Sequence, residues 1–308
     1  MRIFRAGDAL DDDARGAIFA IGNFDGLHRG HVALFRRAQE LAREHGALAG
    51  VLTFSPHPAR VLNPGMAPQL ILRDDEKEQG IAALGLDLLT VLRFDRSLAA
   101  LTAPEFVLRV LVDQLGARGV VVGEGFRFGN RAAGTVDDLR ALPVVGVVPP
   151  VKEGDLVCSS SKVRELVLEG RVDAAGTLLG RPYFLEGVVV EGDRRGRTID
   201  VPTANLDTGR ELLPKLGVYA TRAHLADGRT VKSVTNIGLR PTFMKDGNSG
   251  AASPRIEAHL LDFKGDLYGQ RVSLDVIARI RDEMRFPGVA ALKEQIARDI
   301  ASARAGLA

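Results

Sequence analysis

The chain holds a single cysteine, Cys158, among its 308 residues, which excludes an internal disulfide framework and any zinc cluster built on cysteines. Neither sign of charge is in excess: 41 Lys plus Arg stand against 39 Asp plus Glu, a formal net charge of +2. No strong field therefore recommends a nucleic acid or an anionic membrane as partner. Long apolar runs are missing too. The stretch from Ala141 to Val151 is interrupted by prolines and is too short to cross a bilayer. Near the start, Asp8, Asp11, Asp12 and Asp13 stand where a secretory signal would need a basic segment and an apolar run. No Gly-Lys-Ser/Thr of a P-loop occurs anywhere. What remains, at 45% hydrophobic and 26% charged residues, is the composition of a globular cytoplasmic protein long enough for two domains.

The chain has two rhythms. In the first half, apolar runs at 17–22, 47–53, 88–93, 119–123 and 143–148 alternate with helical patterns over 30–45, 77–84, 104–115 and a shorter stretch after Thr135. Strands that are apolar on both faces belong in a parallel sheet covered by helices. The pattern predicts a doubly wound α/β domain with ligands at the carboxyl ends of its strands. From about residue 184, segments 184–190, 217–225, 230–236, 256–263 and 271–278 alternate in character, with Gly-Asp, Asp-Gly and Lys-Gly turns between them. They predict a small antiparallel barrel or sandwich. A last helix over 289–304, with Ile296 and Ile300 at helical spacing, would cover one side of it. Residues 161–179 read as two short helices, and the domain boundary is placed near Pro182, giving domains 1–182 and 183–308.

Five segments carry the chemistry. The first apolar run ends at Gly22 and continues as Asn23-Phe24-Asp25-Gly26-Leu27-His28-Arg29-Gly30-His31 before a helix. Its glycines do not have the dinucleotide-binding spacing. Backbone N–H groups and the helix dipole favour a phosphate at such a turn. Two imidazoles three residues apart can donate hydrogen bonds to charge developing on phosphorus. A histidine pair more often just caps and flanks a helix, but the functional edge of a parallel sheet favours the chemical reading. Ser159-Ser160-Ser161-Lys162-Val163-Arg164 offers a second phosphate cradle, or else an N-cap with a surface arginine. In the second half, Gly192-Asp193-Arg194-Arg195-Gly196-Arg197 can bring backbone N–H groups close to phosphates. Thr203 and Asn205, two apart on an extended segment, put hard oxygen ligands suited to Mg²⁺ on one side. Glu257 stands mid-strand between Ile256 and Ala258, a position open both to a solvent-facing carboxylate and to a general base.

The turn bearing His28 and His31 resembles the H-x-G-H signature of the nucleotidylyltransferase superfamily. Together with Thr53-Phe54-Ser55-Pro56-His57-Pro58, Gly123-Glu124-Gly125-Phe126-Arg127-Phe128-Gly129 and the serine segment, it resembles the FMN adenylyltransferase module of the bacterial bifunctional riboflavin kinase/FAD synthetases. Pro202-Thr203-Ala204-Asn205, Val234-Thr235-Asn236-Ile237-Gly238, Pro241-Thr242-Phe243 and Ile256-Glu257-Ala258-His259-Leu260 resemble that family's riboflavin kinase domain. Arg281 to Phe286 is similar to its R-x-E-x-x-F segment. The likeness spans essentially the whole chain.

This resemblance implies a Rossmann-like nucleotidylyltransferase domain followed by a six-stranded kinase β-barrel with a terminal helix. It implies that riboflavin is phosphorylated by ATP to FMN, and that FMN attacks a second ATP to give FAD and pyrophosphate. His28, His31 and Arg164 would then act in adenylyl transfer, with Glu257 as the base in phosphorylation. Gly22, Phe24, Asp25, Gly30, Ser160 and Ser161 would bind nucleotide in the first half, and Gly192, Gly196, Arg197, Thr203 and Asn205 in the second. Phe54, His57, Phe126, Phe128, Arg281 and Phe286 would meet the flavin. Mg²⁺ would sit on Thr203 and Asn205, arriving with ATP. The partners implied are small molecules only. Three positions depart from the family's usual pattern: Ser55 where Asp is common, Gly125 where Asp or Asn is usual, and Asp200 where Gly is usual. Gly125 motivates an alternative, a kinase with weak adenylyl transfer. Gly125 and Asp200 together motivate another, a non-catalytic flavin-binding regulator.

Overall fold

A computed structural model describes residues 1–8, 10–191, 201–243 and 249–307. Gly192, Gly196, Arg197 and Asp200 lie outside the described residues. The chain divides into two compact units, Met1–Ser160 and Ser161–Ala308.

The apolar runs of the first unit become β2 (Ile18–Ile21), β3 (Ala49–Ser55), β4 (Leu88–Arg93), β5 (Gly119–Gly123) and β6 (Val144–Val148), joined by β1 (Arg2–Arg5). All pair in parallel, in the order β1-β4-β3-β2-β5-β6. The four residues of β2 are all buried, as a central strand covered on both faces requires. β1 has no apolar run to announce it: only Phe4 of its four residues is buried, because it borders the sheet beside β4 alone. Helices α1 (Arg29–Glu44), α2 (Pro58–Leu62), α3 (Asp74–Ala83), α4 (Arg96–Ala100), α5 (Ala103–Glu105) and α6 (Val136–Leu139) lie between the strands. α5 opens on a Thr102–Glu105 capping box and runs on as a π-helix over Phe106–Gln114. The expected helix over 104–115 is therefore present with a wider winding than the sequence shows. A hairpin of β7 (Lys152–Glu153) and β8 (Leu156–Val157) precedes the unit's end.

The second unit begins within α7 (Ser160–Glu169), at Ser161, and continues with α8 (Val172–Leu179). Its strands are β9 (Tyr183–Val190), β10 (Ala204–Asp207), β11 (Gly217–Leu225), β12 (Thr230–Phe243), β13 (Ser249–Leu260) and β14 (Arg271–Arg281). They close into an antiparallel barrel in the order β10-β13-β12-β11-β14-β9, so the barrel and not the sandwich is realised. β12 runs beyond the expected end at Asn236, and β13 starts before and stops short of the expected 256–263. Three fully buried hydroxyls, of Thr221, Ser233 and Thr235, satisfy one another at 2.7 Å across β11 and β12. The terminal helix α9 (Val289–Gly306) packs on β11, β12 and β14. Its Ala303 and Leu307 bury against Val218, Ala220 and Val234. Among the described residues no helix is long and apolar enough to cross a membrane.

Candidate active sites

From β2 the sheet extends through β3 and β4 to one side and through β5 and β6 to the other. The order thus reverses between β2 and β5, and the loops leaving those strands flank the crevice where such sheets bind ligands. A cavity of about 600 Å³ opens there, lined by Gly22 and Asn23 after β2, Phe54 at the end of β3, Phe94 after β4 and residues 125–132 after β5. That volume suits a cofactor-sized molecule. The walls are aromatic: Phe126 stacks beside Phe128 at 5.6 Å, Phe106 reaches Phe128 at 5.6 Å, and Phe54 meets Phe94 edge-on at 5.8 Å. Arg127 and Arg131 supply positive charge. A β-carbon added to Gly125 would meet no atom within 4 Å.

Beside this cavity the histidine turn is built from the inside out. Phe24 is fully buried, its ring 4.7 Å from Phe35 and perpendicular to His31 at 5.2 Å. It therefore supports the histidine and does not line the cavity. His28 caps α1, its Nδ1 accepting the His31 backbone N–H at 3.3 Å. The two imidazoles stack at 3.6 Å. A side chain at residue 30 would come within 3.0 Å of the His28 ring, so glycine between them lets the rings approach. Burial lowers His28 from 6.5 to about 4, and holds His31 well below its usual value, with the His28 charge adding to that. Both rings are neutral near pH 7. Because the His28 Nδ1 accepts, its Nε2 carries the proton and is the donor. The buried His31 Nδ1 has no hydrogen-bond partner among the described residues.

Asp25 is 4% exposed, and its carboxylate accepts the backbone N–H groups of Ile71 and Leu72, each at 3.0 Å. Its carbonyl accepts the Ser160 hydroxyl at 2.8 Å. Both residues thus brace the turn. His57 caps α2 and lies with Arg60, Asp74 and Lys77 in a separate polar pocket of about 70 Å³ that shares Asn23 with the aromatic cavity; His57 itself does not line that cavity. Ser161 and Arg164 fall on α7 in the second unit.

The second unit carries a cavity of about 570 Å³ between the barrel wall and α9. Arg255, Glu257 and His259, alternate residues of β13, line it together with Asn236 of β12. Phe286, Val289, Leu292 and Ile296 form an apolar wall. Glu257 pairs with Asn205 of β10 on one side and Asn236 on the other. The Arg255 guanidinium donates to the Glu257 Oε1 at 2.6 Å. His259 donates from Nδ1 to the Pro202 carbonyl at 2.8 Å, fixing the segment just before Thr203. Thr203 lines this cavity and also an adjoining cleft of about 90 Å³ formed by Pro202, Phe263, Asp266 and Tyr268. Asn205 is beside Glu257 in the ladder but is not part of the cavity wall. Arg281 reaches the cavity while tied by two bonds of 2.7 and 2.9 Å to Asp299 of α9, which is 3% exposed.

Comparison with known proteins finds a family match in each half of the chain. The FAD synthetase family model matches residues 10–162, and the riboflavin kinase model residues 179–307. A bifunctional riboflavin kinase/FMN adenylyltransferase from Pseudomonas fluorescens is 38% identical over 99% of this chain and 97% of its own. One from Bacillus subtilis is 36% identical over 94% and 92%. The chain belongs to the bifunctional riboflavin kinase/FMN adenylyltransferase family. A crystal structure described as a macrolide-efflux protein from Streptococcus pneumoniae, 31% identical, superposes with a TM-score of 0.86 over 98% of each chain. As in that family, the chain carries one FAD synthetase domain and one riboflavin kinase domain.

The structure brings Gly22, Phe54, Phe126 and Phe128 to one cavity, and Thr203, Glu257, Arg281 and Phe286 to another. Sequence reasoning missed Phe94, Arg131, Arg255 and Glu283 as lining residues. Arg255 had a signal, since it alternates with Glu257 and His259 along one strand face. Phe94 had none, because its meeting with Phe54 depends on strand order.

Proposed function

We propose that residues 1–182 carry adenylyl transfer to FMN and residues 183–308 carry phosphorylation of riboflavin. The observation that supports this best is the pair of cavities of similar volume, each in its own unit and each beside a different catalytic set. In the first, the aromatic walls of Phe54, Phe126 and Phe128 sandwich an isoalloxazine ring. His28 and His31, neutral and donating, stabilise charge that grows on the α-phosphorus of ATP as the FMN phosphate attacks. No protein nucleophile is needed.

In the second unit, the riboflavin ring lies against Phe286 and the apolar face of α9, which excludes water. Glu257 accepts the proton of the 5′-hydroxyl as that oxygen attacks the γ-phosphorus. Thr203, shared by cavity and cleft, stands where the flavin's hydroxyl end meets the nucleotide's phosphates. Its hydroxyl and the amide oxygen of Asn205 are neutral hard donors that fit Mg²⁺. Among the described residues no cluster of His, Cys, Asp or Glu could hold a metal ion by itself. When bound, Mg²⁺ neutralises phosphate charge.

Incubation of the protein with riboflavin, ATP and Mg²⁺, followed by product analysis, tests the reading. FAD is expected. FMN alone would point to a kinase with a failed first site, the reading that Gly125 motivates, and neither product would reduce the protein to a flavin binder.

A further inference from the structure

A general base held by an arginine poses a physical question. Arg255 donates to Oε1 of Glu257 at 2.6 Å, and both side chains are about one-quarter exposed within the cavity. A guanidinium this close does two things: it orders the carboxylate and it offsets its charge.

The surroundings of Arg255 show which effect the fold exploits. In the β12–β13 ladder its partner is Gly238, and the partner of Glu257 is Asn236. Gly238 leaves room on that face: a β-carbon there would fall 2.3 Å from Oε1 of Glu283. The Glu283 carboxyl therefore occupies the space over the residue directly opposite Arg255. Two acids, one from β13 and one from the segment after β14, converge on the same wall, and Arg255 stands on the ladder position between them. Without its cation, two carboxylates would face a cavity that must also admit a polyphosphate, and like charges would drive them apart.

We propose that Arg255 is a positioning residue for phosphoryl transfer. Its guanidinium fixes Glu257 through Oε1 and turns the other carboxylate oxygen, Oε2, toward the flavin's 5′-hydroxyl. This rests on Glu257 being the base. The step is unchanged in its balance: the hydroxyl proton goes to the Glu257 carboxylate, the O–P bond forms, and ADP leaves with the bridging electrons. Arg255 exchanges neither proton nor electrons with the substrate. Misplacing a reacting group by about 1 Å can cost on the order of a hundredfold in rate.

The experiment is a double-mutant cycle on FMN formation by the full chain, using Arg255→Ala, Glu257→Gln and both together, with Arg255→Lys as the conservative variant. FAD formation from supplied FMN serves as the control for intact protein. Arg255→Ala is expected to lower kcat by about ten- to a hundredfold, with KM for riboflavin and for Mg-ATP within about threefold of wild type. Arg255→Lys should recover most of the loss. The double variant should be close to Glu257→Gln alone, because the proposed role of Arg255 runs through that carboxylate. An unchanged or raised kcat in Arg255→Ala would overturn the proposal. So would a rise in KM at constant kcat, or losses that multiply in the double variant. If Glu257→Gln itself turns over normally, the base assignment fails first, and that outcome is distinguishable from a failure of Arg255. Should Arg255→Ala not fold, Arg255→Gln takes its place under the same criteria: a lowered kcat at constant KM with unchanged FAD formation supports the proposal, and an unchanged kcat or a raised KM at constant kcat overturns it.

Discussion

His28 shows how one buried side chain ties stability to pH. Its imidazole titrates near 6.5 when exposed and at about 4 in the folded protein, so between those values the unfolded chain binds the proton and the folded chain does not. Stability linked to this residue is complete above pH 6.5 and drains away as pH falls toward 4. The thermal midpoint of the wild type is expected to drop over that window, and His28→Asn, which keeps a capping side chain, should drop less. Equal slopes in the two proteins would refute the burial account. Gly125 makes a second prediction. The space around it is open and it lines the aromatic cavity, so Gly125→Asp should restore one polar contact. Such a contact is worth about 0.5–1.5 kcal/mol, and KM for FMN or ATP in adenylyl transfer should fall several-fold to tenfold, leaving the kinase step alone. A raised KM would show that the loop is built around glycine. At this scale the catalytic candidates were legible because each sits in a local motif. The placing of the Glu283 carboxyl over Gly238, opposite Arg255, was not, since it joins three separate stretches of chain.

Elements were legible where their surroundings are uniform. β2, β4 and β5 are apolar on both faces and stand out at once, whereas β1, at the sheet's border, buries only Phe4. The π-helical turns after Glu105 could not be read from spacing, because the apolar residues of 106–115 satisfy either winding. α9 was foreseen as a cover for the barrel, but not the device that holds it there. Arg281, expected at the flavin, spends its guanidinium on Asp299 of α9, and Gln295 adds a bond to the same carboxylate at 2.9 Å. Breaking a buried pair by removing one partner costs about 3–5 kcal/mol. Asp299→Ala should therefore lower the unfolding free energy of the second unit by roughly that amount, and raise KM for riboflavin because α9 forms a cavity wall. A variant with normal stability and a raised KM would mean that Asp299 serves the ligand directly.

For the whole molecule, two catalytic sets in two units predict separable losses. His31→Ala should cut FAD formation from FMN by about 10²–10³-fold, the scale for one lost transition-state donor, and leave FMN formation near wild type. Glu257→Gln should do the converse, losing about 10²–10⁴-fold in riboflavin phosphorylation. Either variant silencing both reactions while still folded would contradict the division of labour. The closing of the barrel has a further consequence, for the order in which the chain acquires structure. β9 hydrogen-bonds to β14, the last strand made, and to β10, whose other neighbour is β13. Tyr183 and Leu185 of β9, both fully buried at the end, must wait for Val276 and Leu274 to leave the ribosome, whereas β2 and β3 are separated only by α1 and its loops and can pair as soon as β3 is made. Contacts of such long sequence separation are slow to form and leave apolar strands uncovered meanwhile. Refolding from denaturant should accordingly show a fast phase from the parallel sheet and a slower one from the barrel, and a chain truncated before Arg271 should aggregate during synthesis.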